Sequence, residues 1–495
     1  MFLFERYELT NKHTDINSVL SGFLWRFAER VGAQGVKLLV EIILARILLP
    51  DDYGLIALVT VFITILNVFV DSGLANALIQ KKNADQLDFS SVFWFNIVWC
   101  LVLYTILFAS SPFISDFYQR PELNHVLRVL GLQIIISGIK NVEQAYVSKT
   151  MQFRKFFFAT LGGTIGAAAI GILMAIHGYG VWALVAQQLF NTLVDTIILW
   201  IIVKWRPTFA FSFIRFKTLF SYGWKLFISA LIDTGYKELR QMIIGKKYTS
   251  SDLAFYNRGD QFPHLIVTNI NSSIDSVLLP TMSNVQDNTE YVRAMTRRAI
   301  KTSSFLMMPL MMCLAVCAEP IVRIVLTEKW LPCVFFMRIF CFTYAFYPIH
   351  TANLNAIKAM GRSDIFLKLE IIKKCIGLTA MFSTMMISVK AMAAVLPITS
   401  ILTQMVNARP NKKLLNYNYL DQVKDMLPQI LLSCAAGAAA YGVVFFGLND
   451  WLTLLLQIMI GALIYIGGSK IFHVDSYDYV VDIARSFLTR RKSDI

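Results

Sequence analysis

Residues Thr60–Ser72 read TVFITILNVFVDS, and residues His264–Ser276 read HLIVTNINSSIDS. Aligned at an offset of 204, Thr64 meets Thr268, Asn67 meets Asn271, Asp71 meets Asp275 and Ser72 meets Ser276. All four identities are polar, in segments rich in apolar residues. The preceding stretches match at an offset of 200, pairing Lys37 with Lys237, Glu41 with Gln241, Arg46 with Lys246 and Asp52 with Asp252. The difference of four fits one insertion in the connecting loop. The chain therefore reads as two homologous halves, the alternative being a chance match in hydrophobic sequence.

Working outward, the whole chain has the same character. Of 495 residues 56% are hydrophobic and 16% charged, and mean hydropathy is +0.57. A soluble protein carries roughly 25% charged residues. Fourteen candidate transmembrane helices are expected over about 19–49, 53–79, 90–111, 124–147, 156–176, 179–203, 219–245, 252–280, 298–318, 332–357, 365–389, 391–408, 427–447 and 451–472. The expected fold class is an all-α polytopic membrane protein with two pseudo-symmetric six-helix lobes and two C-terminal helices. The divisions are a cytoplasmic N-terminus (1–18), an N-lobe (19–203), a linker (204–218), a C-lobe (219–408), a loop (409–426), the last helix pair (427–472) and a basic tail (473–495). The repeat offset spans six helices, an even number, so both copies share one orientation. Such parallel repeats, related by an axis along the membrane normal, are an architecture of alternating-access transporters.

The net charge is +14. It does not point to nucleic acid, because no contiguous soluble basic module carries it. Lys81, Lys149, Arg154, Arg206, Arg215, Arg293, Arg297, Arg298, Arg362, Arg409 and the tail Arg490 fall on one set of loops. That asymmetry places both termini in the cytoplasm. The N-terminus does not read as a signal peptide. The seven cysteines form no paired framework and read as small buried apolar residues, with no disulfide and no metal. No GxxxxGK[ST] motif is present, so no ATP hydrolysis is expected.

Charges nevertheless lie within the spans. At about 100° per residue, Arg26, Glu29, Arg30, Lys37 and Glu41 fall on a stripe about 120° wide. Each charge facing lipid at mid-helix costs roughly 2.5–3.5 kcal/mol, so the stripe must face protein or water. Asp233, Lys237 and Arg240 repeat the theme on the seventh helix. Thr60, Thr64, Asn67 and Asp71 share a face of the second helix, and His264, Thr268, Asn271 and Asp275 the equivalent face of the eighth. Gln133, Ser137, Lys140 and Gln144 do so on the fourth. These stripes suggest a hydrated, basic central cavity. Arg26, Arg30, Lys37, Lys140, Lys237 and Arg240 are the candidates for binding an anionic substrate group. Glu29, Glu41, Asn67, Asp71, Asp233, His264, Asn271 and Asp275 are candidates for polar lining or ion coupling. The competing reading is structural: Lys37–Glu41 and Asp233–Lys237 as packing ion pairs, and Arg26 and Arg30 snorkelling to the interface.

The stretches ARILLPDDYGLIALVTVF (45–62), DSGLANALIQKK (71–82) and SSVFWFNI (90–97) resemble the Wzx-type oligosaccharide flippases. These form the polysaccharide-transporter branch of the multidrug/oligosaccharidyl-lipid/polysaccharide exporter (MOP) superfamily. GKKYTSSDLAFYNRGDQFP (245–263), LLPTMSNVQDNTEYVRAMTRRAI (278–300), LTEKWLPCVFFMRIF (326–340) and KAMGRSDIFLKLE (358–370) agree, and the colanic-acid exporter branch is similar. The resemblance implies a MATE-like, or MOP, fold of fourteen helices. It implies translocation of a polyprenyl-diphosphate-linked oligosaccharide repeat unit across the bacterial inner membrane for exopolysaccharide or lipopolysaccharide biosynthesis. No catalytic residue, cofactor or metal is expected. Expected partners are membrane lipids, H+ or Na+ as coupling ion, and polysaccharide polymerase or export proteins, with the chain working as a monomer. The alternatives are a multidrug cation antiporter, a lipid II flippase and, in a different class, a membrane glycosyltransferase or polymerase. The last would need catalytic groups and usually a large outer loop, and the outer loops here are short.

Overall fold

The computed structural model describes residues 32–481, apart from 33, 72, 82, 151, 153 and 480. The described residues contain helices and turns and no strand. This follows from long apolar runs in a bilayer, where a helix satisfies every backbone N–H and C=O within its own segment. The chain divides into two compact units, Met1–Ala254 and Phe255–Ile495.

The first unit contains α1 (34–47), α2 (Pro50–Asp71), α3 (Leu74–Gln80), α4 (Gln86–Tyr118), α5 (Glu122–Lys149), α6 (Arg154–Ile176), α7 (Val181–Ile202) and α8 (Phe213–Lys247). Helix α9 (Ser250–Ser283) starts in the first unit and continues in the second. The second unit then holds α10 (Thr289–Val316), α11 (Ala318–Val325), α12 (Cys333–Ala345), α13 (Tyr347–Ala359), α14 (Ser363–Thr384), α15 (Val389–Leu414), α16 (Tyr419–Gly442) and α17 (Asp450–Ile471). Helix α8, which the repeat assigns to the C-lobe, packs on α2, α3 and α4 of the first unit.

Two expected spans are interrupted, each for a local reason. The span at 53–79 breaks after Asp71, where Gly73 takes φ +67° and α3 begins. A Cβ at Gly73 would stand 2.2 Å from the carbonyl oxygen of Gly223 on α8, so only glycine fits there. The span at 332–357 divides at Phe346, just before Pro348 in the first turn of α13.

Ten helices among the described residues are long and apolar enough to cross a membrane. The protein is a multi-pass membrane protein. Helices α8, α9 and α14 are not among the ten, although they have 35, 34 and 22 residues. At about 1.5 Å per residue each exceeds the ~30 Å hydrocarbon core. Their polarity lowers their hydropathy: Asp233, Lys237, Glu238 and Arg240 on α8, Arg258 and Asp260 on α9, and Lys368, Glu370, Lys373 and Lys374 on α14. The sequence count of fourteen rests on length and includes them.

At one end of the first unit, polar side chains tie α8 to α4. Asp85 and Asp88 form a capping box at the start of α4, Lys81 lies 2.7 Å from Asp88, and Arg215 pairs with Asp85. The Arg215 guanidinium and the Asp88 amide hold the Asp85 carboxyl below the usual carboxylate range.

Candidate functional site

In the first unit the polar residues converge on α5. Asn141 donates through Nδ2 to Asp71 Oδ1 at 2.6 Å, joining the last turn of α2 to the middle of α5. Its neighbour Lys140 reaches Asp195 on α7 at 2.8 Å, with the two side chains 17% and 14% exposed. Two turns earlier, Gln133 donates to Thr192 on α7 at 2.8 Å. Shielded from water, the Lys140–Asp195 attraction is far stronger than at a surface, but it also cancels the lysine's charge. Asn67, one turn before Asp71, buries its Oδ1 without a hydrogen-bond partner among the described residues.

The second unit repeats this arrangement. Asn355 on α13 donates to Asp275 Oδ1 on α9 at 2.5 Å. Asn271, one turn before Asp275, likewise buries an unpartnered Oδ1. The repeat recognised in sequence is thus a repeat of geometry: a carboxylate held by an asparagine of a second helix, with an unsatisfied amide oxygen beside it. Farther along α9, Asp260 accepts from Tyr344 OH at 2.7 Å. The His264 ring lies edge-on to Tyr344, with centroids 6.3 Å apart, and its Nδ1 is 3.4 Å from Thr268 Oγ1. Asp260, His264, Thr268, Asn271 and Asp275 are spaced 4, 4, 3 and 4 residues apart, which keeps them on one face of α9.

The remaining predicted residues sit as follows. Arg26, Glu29 and Arg30 lie outside the described residues. Lys37, with its side chain 69% exposed, stands 3.8 Å from Glu41 on α1. Lys237 is also 69% exposed and pairs with Asp233 at 2.7 Å on α8, and Arg240 follows, half-buried. Sequence reasoning missed Asn141, Asp195, Asn355, Asp260 and Tyr344. Asn141 and Asn355 stand among other polar residues, Lys140, Glu143 and Gln144 on α5 and His350 and Asn353 on α13, so the sequence did not single them out. Asp195 could be matched to Lys140 only through the packing of α5 on α7. Among the described residues no group of three or more His, Cys, Asp or Glu side chains is arranged to hold a metal ion.

The family model described as polysaccharide biosynthesis protein matches residues 43–335, more than half of the chain. The chain belongs to the polysaccharide biosynthesis protein family. Among relatives of this family, it is 25% identical to the succinoglycan biosynthesis transport protein ExoT of Rhizobium meliloti (strain 1021) over 62% of this chain, spanning only 62% of that protein. It is 24% identical to the teichuronic acid biosynthesis protein TuaB of Bacillus subtilis (strain 168), over 81% of this chain and 84% of TuaB. It is 22% identical to the lipopolysaccharide biosynthesis protein WzxC of Escherichia coli (strain K12), over 72% of each. The fold matches the lipid II flippase MurJ in an inward closed conformation, with TM-score 0.76 and 17% identity, over 92% of this chain and 99% of that one. An inward-facing MATE transporter of the MOP superfamily aligns with TM-score 0.58 and 12% identity, over 80% and 94% of the respective chains. The resemblance read from the helix-end motifs holds, and the fold is that of the MOP superfamily. Among these proteins ExoT is named as a transport protein and MurJ as a flippase.

Proposed function

We propose that this protein is a flippase. It carries a polyprenyl-diphosphate-linked oligosaccharide from the cytoplasmic to the periplasmic leaflet of a bacterial inner membrane by alternating access, for polysaccharide biosynthesis. The observation that carries this reading is the polysaccharide-family match over residues 43–335, joined to a fold shared with a lipid II flippase. The predicted topology puts both termini in the cytoplasm.

The chemistry of such a substrate sets what the residues must do. The diphosphate needs cations, which Arg26, Arg30 and Lys37 of the first helix supply, with Lys237 and Arg240 of α8. Lys37 and Lys237, each 69% exposed, are accessible to a ligand as they stand. Lys140 is already matched by Asp195 and contributes only if that pair opens. The sugar needs hydrogen-bonding groups, and the buried amide oxygens of Asn67 and Asn271 join them only if the helices around them part. The polyprenyl tail stays in lipid. Glu29, Glu41, Asp71, Asp233, His264 and Asp275 are the candidates for coupling to H+ or Na+.

The test is translocation in proteoliposomes, following a polyprenyl-diphosphate oligosaccharide by its accessibility to a membrane-impermeant probe. Wild type moves it, and Lys37→Ala and Arg30→Ala lose that movement while still inserting. Transport unchanged in both variants removes the first-helix cations from the diphosphate site. Export of organic cations with no movement of lipid-linked sugars overturns the flippase reading.

A further inference from the structure

Beside α10 in the second unit lies a cleft of about 490 Å3, lined by Arg293, Arg297, Arg298 and Lys301 together with Glu290 and Asp475. Four positive and two negative side chains line it, and with Asp425, which holds Arg297, they leave an excess of one positive charge. Two of the cations are held in place. The Arg297 guanidinium grips Asp425 through Nε at 2.7 Å and Nη2 at 2.6 Å, while Tyr417 OH donates to the same carboxylate at 2.8 Å. Lys301 Nζ lies 2.9 Å from Asp475. The other two form no ion pair among the described residues. Neither Arg293 nor Arg298 has a carboxylate within ion-pair distance among the described residues, and Arg298 lies over the Tyr479 ring at 3.8 Å.

This cleft does not end at its charges. A second cavity of about 680 Å3 shares Arg298, Thr302 and Tyr479 with it and runs on over Ile270, Ile274, Leu278 and Leu306. A cationic cleft opening into an apolar trough beside a membrane helix has the form of an amphiphile with an anionic head. We propose that this site binds an anionic phospholipid, the phosphate against Arg293 and Arg298 and one acyl chain in the trough.

Three features favour that occupant. Guanidinium groups recognise phosphate oxygens in bidentate fashion, and basic pockets between transmembrane helices hold anionic headgroups. A free phosphate would leave the trough unfilled. The trough lines α10 from Tyr291 to Leu306, and the part beyond Arg298 runs about 12 Å at 1.5 Å per residue, close to half of the ~30 Å hydrocarbon core. That part lies within the depth of one leaflet, where a phospholipid acyl chain sits. The site is independent of the proposed transport function, and its test does not use transport.

The full chain is purified in detergent, incubated with phosphatidylglycerol or phosphatidylcholine, and passed through a delipidating column, and the retained lipid is measured. Wild type keeps phosphatidylglycerol in preference to phosphatidylcholine. The double variant Arg293→Ala/Arg298→Ala keeps about thirtyfold less. Among the described residues neither arginine is part of an ion pair, so in phosphatidylcholine this variant should lose little beyond the Arg298–Tyr479 contact and melt close to the wild-type temperature. Should it not, the variant Arg293→Lys/Arg298→Lys, which preserves charge, must retain phosphatidylglycerol. Equal retention by wild type and the alanine variant overturns the proposal, as does equal retention of the two lipids by wild type. Displacement of phosphatidylglycerol by an equal concentration of a prenyl diphosphate also overturns it, in favour of a substrate-like diphosphate.

Discussion

Glu143 is a residue whose surroundings carry a stability prediction of their own. It is fully buried on α5, and among the described residues neither carboxylate oxygen has a hydrogen-bond partner and the ion-pair partner is Arg206, 3.7 Å away. A buried charge is tolerated when paired and costly when alone. Arg206→Met therefore destabilises the first unit by about 1–2 kcal/mol, the half-exposed arginine being partly screened by water. Adding Glu143→Gln recovers most of the loss, because it removes the stranded charge. Thermal melting in detergent checks this, and a double variant no better than Arg206→Met alone would show that Arg206 acts through packing. At this scale the sequence was half legible. Asp71 and Asp275 stand out as carboxylates in apolar segments, whereas their donors, Asn141 and Asn355, lie 70 and 80 residues away on helices that only folding brings alongside.

At the scale of the element, the informative positions are those where two backbones meet. A Cβ at Gly54 on α2 would fall 1.8 Å from the Ser250 carbonyl oxygen, and one at Gly73 would fall 2.2 Å from that of Gly223. Both obstacles are backbone, which cannot rotate away as a side chain can. Gly54→Ala and Gly73→Ala should each lower stability by about 2 kcal/mol or more, Gly73→Ala also through its left-handed φ. Gly178→Ala, at φ +80° with nothing within 4 Å, loses only the conformational part. A melting series of the three variants tests the ranking, and a Gly73→Ala protein as stable as wild type would contradict the close approach. Most long helices were legible as apolar runs, within three residues at both ends for α5, α6, α7, α9 and α17 and with larger misses for α4, α8, α10, α14, α15 and α16, whose polar ends extend beyond the apolar run or whose stated span overshoots it. The interruptions at Gly73 and Phe346 were not, because one glycine or proline within an apolar run carries little weight until its φ and its neighbour are known.

At the scale of the whole molecule, the repeat is the organising fact. Each unit contains an Asp–Asn hydrogen bond from its α2-like helix to a later helix, at 2.6 Å in one and 2.5 Å in the other. If both copies serve one transport cycle, Asn141→Leu and Asn355→Leu each slow translocation in proteoliposomes while leaving insertion intact. A defect confined to one variant would make the other pair a packing feature. The sequence by itself determined the class, the repeat and the family. Hydropathy dictates helices in a bilayer, and polar identities inside apolar segments stand out against their background. Only the tertiary structure decided which charges are spent on one another and which remain available. Lys140 is matched by Asp195, Arg297 by Asp425, and Lys301 by Asp475, whereas among the described residues Arg293 and Arg298 pair with no carboxylate. The reason is physical: a side chain's charge is written in one residue, but its compensation depends on distance in space, which is set by how the helices pack.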